Sequence, residues 1–144
     1  MHIEPVTIIG AGPGGIAAAI QIKRCERMPL LLEKDHVGGL LVNANLVENY
    51  PGFPQGISGA ELVGLFEAHL RAAGVMVEYE EVLRLDFEET FIIQTSKRVL
   101  RSRIVVAASG TKPKEIDFPC EASERIFCEV KSIAHVEGQR IVII

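Results

Sequence analysis

The chain has 144 residues, 48% hydrophobic and 24% charged, with a formal net charge of −4. That length fits one domain or most of one, and the balance suits a globular core over a disordered chain. Nothing in the charge argues for nucleic acid, and no apolar stretch is long enough to cross a membrane. Three cysteines, Cys25, Cys120 and Cys128, make no C-x-x-C pair and no metal-ligand spacing. So sparse and odd a set points to a reducing compartment, hence a cytoplasmic location. Glu4 and Pro5 interrupt the N-terminus before any apolar run of signal-peptide length.

The first predicted element is the strand Val6-Thr7-Ile8-Ile9, which runs straight into Gly10-Ala11-Gly12-Pro13-Gly14-Gly15. Gly10, Gly12 and Gly15 have the G-x-G-x-x-G spacing: a tight turn, a close approach for a pyrophosphate, and close helix–strand packing. A helix from about Pro13 to Arg24 follows, with Pro13 in its first turn and Lys23 and Arg24 in its last. Phosphates at its N-terminus would meet free N–H groups. Cys25 is expected as a small buried residue near its end. Pro29-Leu30-Leu31-Leu32-Glu33 is a second apolar strand, ending in an acid 23 positions after Gly10. A carboxylate there can accept from ribose hydroxyls. Glycines used only for packing, beside an exposed Glu33, are the alternative, which leaves the coincidence of strand, turn, helix and acid unexplained.

A long Gly- and Pro-rich connection comes next, through Gly38-Gly39-Leu40-Leu41 to Asn49-Tyr50-Pro51-Gly52-Phe53. Loops of that length inside compact domains are usually functional or disordered, and the aromatic content speaks against disorder. Asn49 reads either as a turn residue or as an amide for a polar ligand group. Ser58 and Glu61 form a capping box, followed by the apolar stripe Leu62, Leu65, Phe66, Leu70 and Ala73, with Gly74 as the stop. From Val75 the period becomes 2: Val75, Val77 and Tyr79, then Leu83, Leu85 and Phe87. Phe91–Thr95 and Arg98–Arg101 are two further short strands, closely spaced as in an antiparallel meander. Ile104–Ala108 is a separate apolar strand of buried parallel type, ending in Ser109-Gly110.

These residues predict an α/β, Rossmann-like FAD/NAD(P)-binding domain: a central parallel sheet with helices and an antiparallel β-meander. The chain resembles the N-terminal FAD-binding portion of the thioredoxin reductase-like flavoproteins. The resemblance rests on Ile9–Gly15, Glu33, Gly38-Gly39 with Leu41, Val47–Pro54 and Ala108-Ser109-Gly110. It implies FAD as cofactor. The implied contacts are Gly10, Gly12, Pro13, Gly14, Gly15, Glu33, Lys34, Gly39, Leu40, Leu41, Asn49, Ala108 and Gly110, with the backbone of Val82 facing the adenine. It implies no catalytic residue and no metal ligand here.

Three departures from the family stand out. Leu40 stands where the family commonly has Gln. The family's redox cysteines fall on Glu129 and Ser132, so no dithiol relay is expected at that place; segment 126–132 looks like the ferredoxin–NADP reductases of the same superfamily. Residues 138–144 read as the first strand of a second Rossmann unit without its glycines. The resemblance therefore divides the chain into an FAD-binding domain, 1–115, lacking its C-terminal closing segment, and a linker with that strand, 116–144. On this reading NAD(P)H binds only in a longer parent protein, and the chain alone does not turn over. Exposed apolar edges, Ile104–Val106 and Ile141–Ile144, imply self-association into a homo-oligomer. Two functions follow. The first is the FAD-binding part of an NAD(P)H-dependent oxidoreductase with a separate electron acceptor. The alternative is a non-catalytic dinucleotide-binding or interaction module.

Overall fold

The structure, a computed structural model, describes residues 2–112 together with Glu137, Gly138 and Arg140. The chain divides into two compact units, Met1–Gly110 and Thr111–Ile144, and every described strand and helix lies in the first. Cys120, Cys128, Glu129, Ser132 and the strand expected at the end lie outside the described residues.

One six-stranded mixed sheet organises the first unit, in the order β3-β2-β1-β6-β5-β4. β1 (Ile3–Ile9) is flanked by two parallel partners, β2 (Leu30–Glu33) and β6 (Val99–Ala107). β3 (Val77–Tyr79) extends the parallel set beyond β2. β4 (Val82–Phe87) and β5 (Phe91–Thr95) form the antiparallel meander that ends in β6. The helices α1 (Pro13–Arg24) and α2 (Gly59–Ala72) cross between the parallel strands.

The alternation of side chains along β2 separates two cores. Leu31 packs with Ile8, with Ile16 and Ala19 of α1, and with Leu70 of α2. Its neighbour Leu32 packs with Ile93 and Leu100 of the meander. Ile8, Leu31 and Leu32 are essentially inaccessible to water, and burial of each contributes about 1.5–3 kcal/mol. Both faces of the parallel strands are therefore covered, which accounts for their nearly unbroken apolar runs.

Several elements differ from the sequence-based expectation. The two short strands expected over residues 98–101 and 104–108 are one strand, β6. Its first half pairs antiparallel with β5, while its register with β1 runs from Arg101 to Ala107. The polar Ser102 does not break it: the fully buried hydroxyl receives the Thr7 hydroxyl at 3.0 Å and donates to the Ile104 carbonyl at 2.8 Å. Leu65 in α2 is half exposed, and Val63 takes the buried position instead. Cys25 is exposed. It caps the C-terminus of α1, where Glu26 turns left-handed at φ 57° and ends the helix. β3 starts only at Val77, after the buried Val75. Leu83, Leu85 and Phe87 are exposed because β4 is the outer strand of the sheet, and only Val82 reaches the meander core.

Candidate dinucleotide-binding site

The carboxyl ends of β1, β2 and β6 meet at the glycine turn. Gly10 donates its N–H to the Leu32 carbonyl at 2.8 Å, and Ala108 donates to the Ile9 carbonyl at 2.8 Å. Gly10 has φ 98°, and a Cβ there would lie 2.4 Å from the Ala108 carbonyl oxygen. Gly15 is equally constrained: a Cβ would stand 1.9 Å from the Gly10 oxygen. These two glycines are needed by the fold. Gly12 and Gly14 are different, since a Cβ at either would meet nothing within 4 Å. Gly12 has an extended backbone, φ −72° and ψ −179°, that any residue can adopt. Its lack of a side chain is unexplained by packing and leaves room beside the backbone.

That room has a second wall. Gly38 donates to the Ala11 carbonyl at 2.8 Å, which lays the Gly38-Gly39 turn against the first glycine turn. A Cβ on Gly39 would lie 3.8 Å from the Gly12 Cα, so the second turn lies in van der Waals reach of the first. Gly38 has φ 94° and its Cβ position is filled by Val63, which fixes this glycine as structural. The turn continues as a short 3₁₀ helix, Gly39–Asn43, that the sequence did not announce. It holds Leu40, exposed, and Leu41, partly buried. From there the chain makes an excursion closed by mutual hydrogen bonds between Val47 and Ile57. A hollow of about 310 Å3 is lined by residues 48–54, Asn49 among them, with Tyr50 stacked edge-on against Phe66 of α2.

Glu33 sits at the end of β2, only 8% exposed. Its Oε2 accepts the Ala11 N–H at 2.7 Å, and its Oε1 accepts from Lys34 and Asp35 at 2.9 and 3.0 Å. The electrostatics of the two helix starts are opposite. α2 is closed by its capping box: Ser58 accepts from the Glu61 amide, and Glu61 reaches back to Ser58. α1 begins at Gly12 with no side-chain cap and no acid in its first turn. Its first N–H groups are therefore left for an anion, which the dipole also favours.

Beyond the end of β3, Glu80 is a buried acid that the sequence does not single out, because it reads as one of several surface acids. It is 8% exposed, and its amide donates to the Glu33 carbonyl at 2.8 Å. Its carboxylate accepts the Thr95 hydroxyl at 2.7 Å and pairs with Arg98 at 3.2 Å. Burial pulls the Arg98 guanidinium down, and the hydrogen bonds and charges of Glu78 and Glu80 outweigh it, leaving it raised. This cluster fixes the chain just before Val82. Gly110 has φ 74°, three residues beyond β6, with open space beside it. The structure thus gathers Gly10, Gly12, Pro13, Gly14, Gly15, Glu33, Lys34, Gly39 and Ala108 around one glycine turn. Leu41 adjoins it through its N–H, which donates to the Gly38 carbonyl at 3.2 Å, whereas Leu40, Asn49, Val82 and Gly110 make no hydrogen bond to that cluster. Among the described residues no acid–histidine–cysteine cluster could hold a metal, and no helix is long and apolar enough to cross a membrane.

A bare helix start, open space beside Gly12 and a buried carboxylate on the same turn fit the pyrophosphate and ribose of a dinucleotide such as FAD. Comparison with known proteins agrees. The family model described as pyridine nucleotide-disulphide oxidoreductase matches residues 4–144. A thioredoxin reductase of Bacillus subtilis (strain 168) is 31% identical over 99% of this chain and 46% of its own length. The chain therefore spans less than half of that relative. The crystal structure of Lactococcus lactis thioredoxin reductase superposes with a TM-score of 0.74 at 32% identity, over 81% of this chain and 38% of that one. A ferredoxin-flavin thioredoxin reductase of Clostridium acetobutylicum does so with 0.74 at 26% identity, over 81% and 40%. The chain belongs to the pyridine nucleotide-disulphide oxidoreductase family and has the FAD-binding, Rossmann-like fold of its thioredoxin reductase-like flavoproteins.

Proposed function

We propose that this chain forms the FAD-binding part of an NAD(P)H-dependent oxidoreductase that passes electrons to a separate acceptor without a dithiol relay of its own. The observation that carries the reading is the open space beside Gly12, where an added Cβ would meet nothing, at the uncapped start of α1 and next to the turn that Glu33 holds. Gly10 to Gly15 receive the pyrophosphate; Glu33 and Lys34 receive the ribose. Val82 presents its backbone to the adenine. Gly39, Leu40, Leu41, Asn49, Ala108 and Gly110 line the path toward the flavin. Bound FAD supplies the two-electron redox chemistry, and the protein supplies binding, orientation and exclusion of water. In support of the missing relay, no two of the chain's three cysteines stand three apart, whereas a relay needs two thiols that can bond each other. The setting is reducing and cytoplasmic, as the sparse cysteines suggest.

The chain also self-associates. The antiparallel register of β6 with β5 stops at Ser102, and Ile104 just beyond is 54% exposed. β1 pairs this stretch on one side, and the side that β5 leaves open among the described residues can template pairing with another strand.

Titration of nucleotide-free protein with FAD, FMN and NAD tests the cofactor. FAD is expected to bind most tightly, because FMN lacks the adenosine half that Glu33 and Val82 would hold. Equal affinity for FMN and FAD would remove the reading.

A further inference from the structure

Ala11 is completely buried and is held at both ends. Its N–H donates to Glu33 Oε2 at 2.7 Å, and its carbonyl accepts the Gly38 N–H at 2.8 Å. The other carboxylate oxygen accepts from Lys34 and Asp35, on the loop that leads to Gly38. One side chain therefore ties the turn after β1 to the loop after β2, by contacts that belong to the chain itself.

We infer that Glu33 is a positioning residue of the dinucleotide site: its carboxylate holds the Gly10–Gly15 turn and the Gly38-Gly39 turn in register, whatever hydroxyl it also receives. The inference rests on the proposed FAD reading for its ligand, but its geometry stands on the protein alone. A carboxylate offers about four acceptor positions, and backbone N–H groups already take three of them. At most one is left for a ribose hydroxyl, so ribose recognition is the smaller share of what Glu33 does. The Ala11 N–H has no water to turn to when the carboxylate is lost, and an unsatisfied buried donor is costly. The turn then opens, and Gly39 no longer lies against Gly12.

The test compares wild type with Glu33→Gln, which keeps the volume but replaces one acceptor oxygen by an NH₂ group. Two ligands are titrated: FAD, and an FAD analogue whose adenosine ribose is 2′,3′-dideoxy. A positioning role predicts that both bind Glu33→Gln more weakly than wild type, by about tenfold or more. A role limited to ribose recognition predicts a penalty for FAD alone, with the dideoxy analogue bound equally by both proteins; that result overturns the inference. Amide hydrogen exchange without nucleotide gives a second reading. In wild type the Ala11 amide is expected to exchange slowly. In Glu33→Gln the amides that meet the new NH₂ group, either Ala11 or Lys34 and Asp35, speed up, while the Glu61 amide in the α2 capping box does not change. Fast exchange of Ala11 in wild type also overturns the inference. If neither protein binds FAD, the cofactor reading falls, and Ala11 exchange alone decides the positioning role.

Discussion

Gly12 and Gly15 belong to one motif, yet they should fail differently when changed to alanine. At Gly15 the new Cβ lies 1.9 Å from the Gly10 oxygen and 3.0 Å from the Gly10 carbonyl carbon. Both atoms are backbone in a turn pinned to Leu32, so neither yields cheaply. Alanine gains about 1 kcal/mol in helix propensity over glycine. Overpacking costs about 1–3 kcal/mol, and so close a contact belongs at the upper end. The net expectation is a loss of about 2 kcal/mol of stability, the difference between these terms. At Gly12 the Cβ meets nothing, and the backbone conformation is open to any residue. Replacing glycine at an N-cap by alanine costs about 0.5–1 kcal/mol. Restricting the unfolded chain returns about 0.4–1 kcal/mol, so stability should stay within about 1 kcal/mol of wild type. The methyl group, however, stands in the open space beside the start of α1. It should hold the pyrophosphate off the first N–H groups of α1 and weaken FAD by about tenfold or more, the loss of one charge-assisted hydrogen bond. Urea denaturation paired with flavin-fluorescence titration separates the two effects. Wild-type affinity in Gly12→Ala, with wild-type stability in Gly15→Ala, would refute the division of roles.

The capping box gives a test with a pH signature. Ser58→Ala removes the N-cap acceptor of α2 and should cost about 1 kcal/mol in a urea melt. The Ser58 hydroxyl, and then its backbone N–H, hold the Glu61 carboxyl below its ordinary value. Its stabilising effect is thus fully present above the unfolded carboxylate range and is lost as pH falls through the lowered folded value. Wild type should lose stability over that acidic window relative to Ser58→Ala, and parallel pH curves would exclude the linkage. Glu26→Gly should raise the unfolding free energy by about 1 kcal/mol, since Glu26 is a non-glycine residue at positive φ; no change or a loss would show that its side chain offsets the strain. Gly38→Ala places a Cβ 2.4 Å from Val63 Cγ2 at φ 94° and should destabilise by about 1–3 kcal/mol. Adding Val63→Ala should cost less than the sum of the two changes, and strict additivity would mean that the two positions do not touch.

Local signals carried the parallel half of the fold. Gly10, Gly12, Gly15 and Glu33 announce themselves because a pyrophosphate turn and a ribose acid constrain residue type at fixed spacing. Pro13, the capping pair Ser58 and Glu61, and Gly74 mark helix ends for equally local reasons. What stayed hidden depends on partners distant in sequence. β6 looks like two strands because Arg101-Ser102-Arg103 is polar; Thr7, 95 positions away, donates to the buried Ser102 hydroxyl, a long-range partner that no local pattern shows. Glu80 resembles any surface acid until Thr95 and Arg98 close over it. Leu83, Leu85 and Phe87 alternate as a half-buried strand should, yet periodicity cannot tell an inner strand from the outermost one. Nor can spacing show that Glu33 already receives three backbone N–H groups.

The central claim is that this glycine turn and its acid hold FAD. The most direct measurement is the visible spectrum of the purified chain after saturation with a mixture of FAD, FMN and NAD and removal of free nucleotide, followed by heat release and chromatography of what was bound. A yellow protein that releases FAD and neither FMN nor NAD is expected. A colourless protein, or one that releases NAD without flavin, would contradict it.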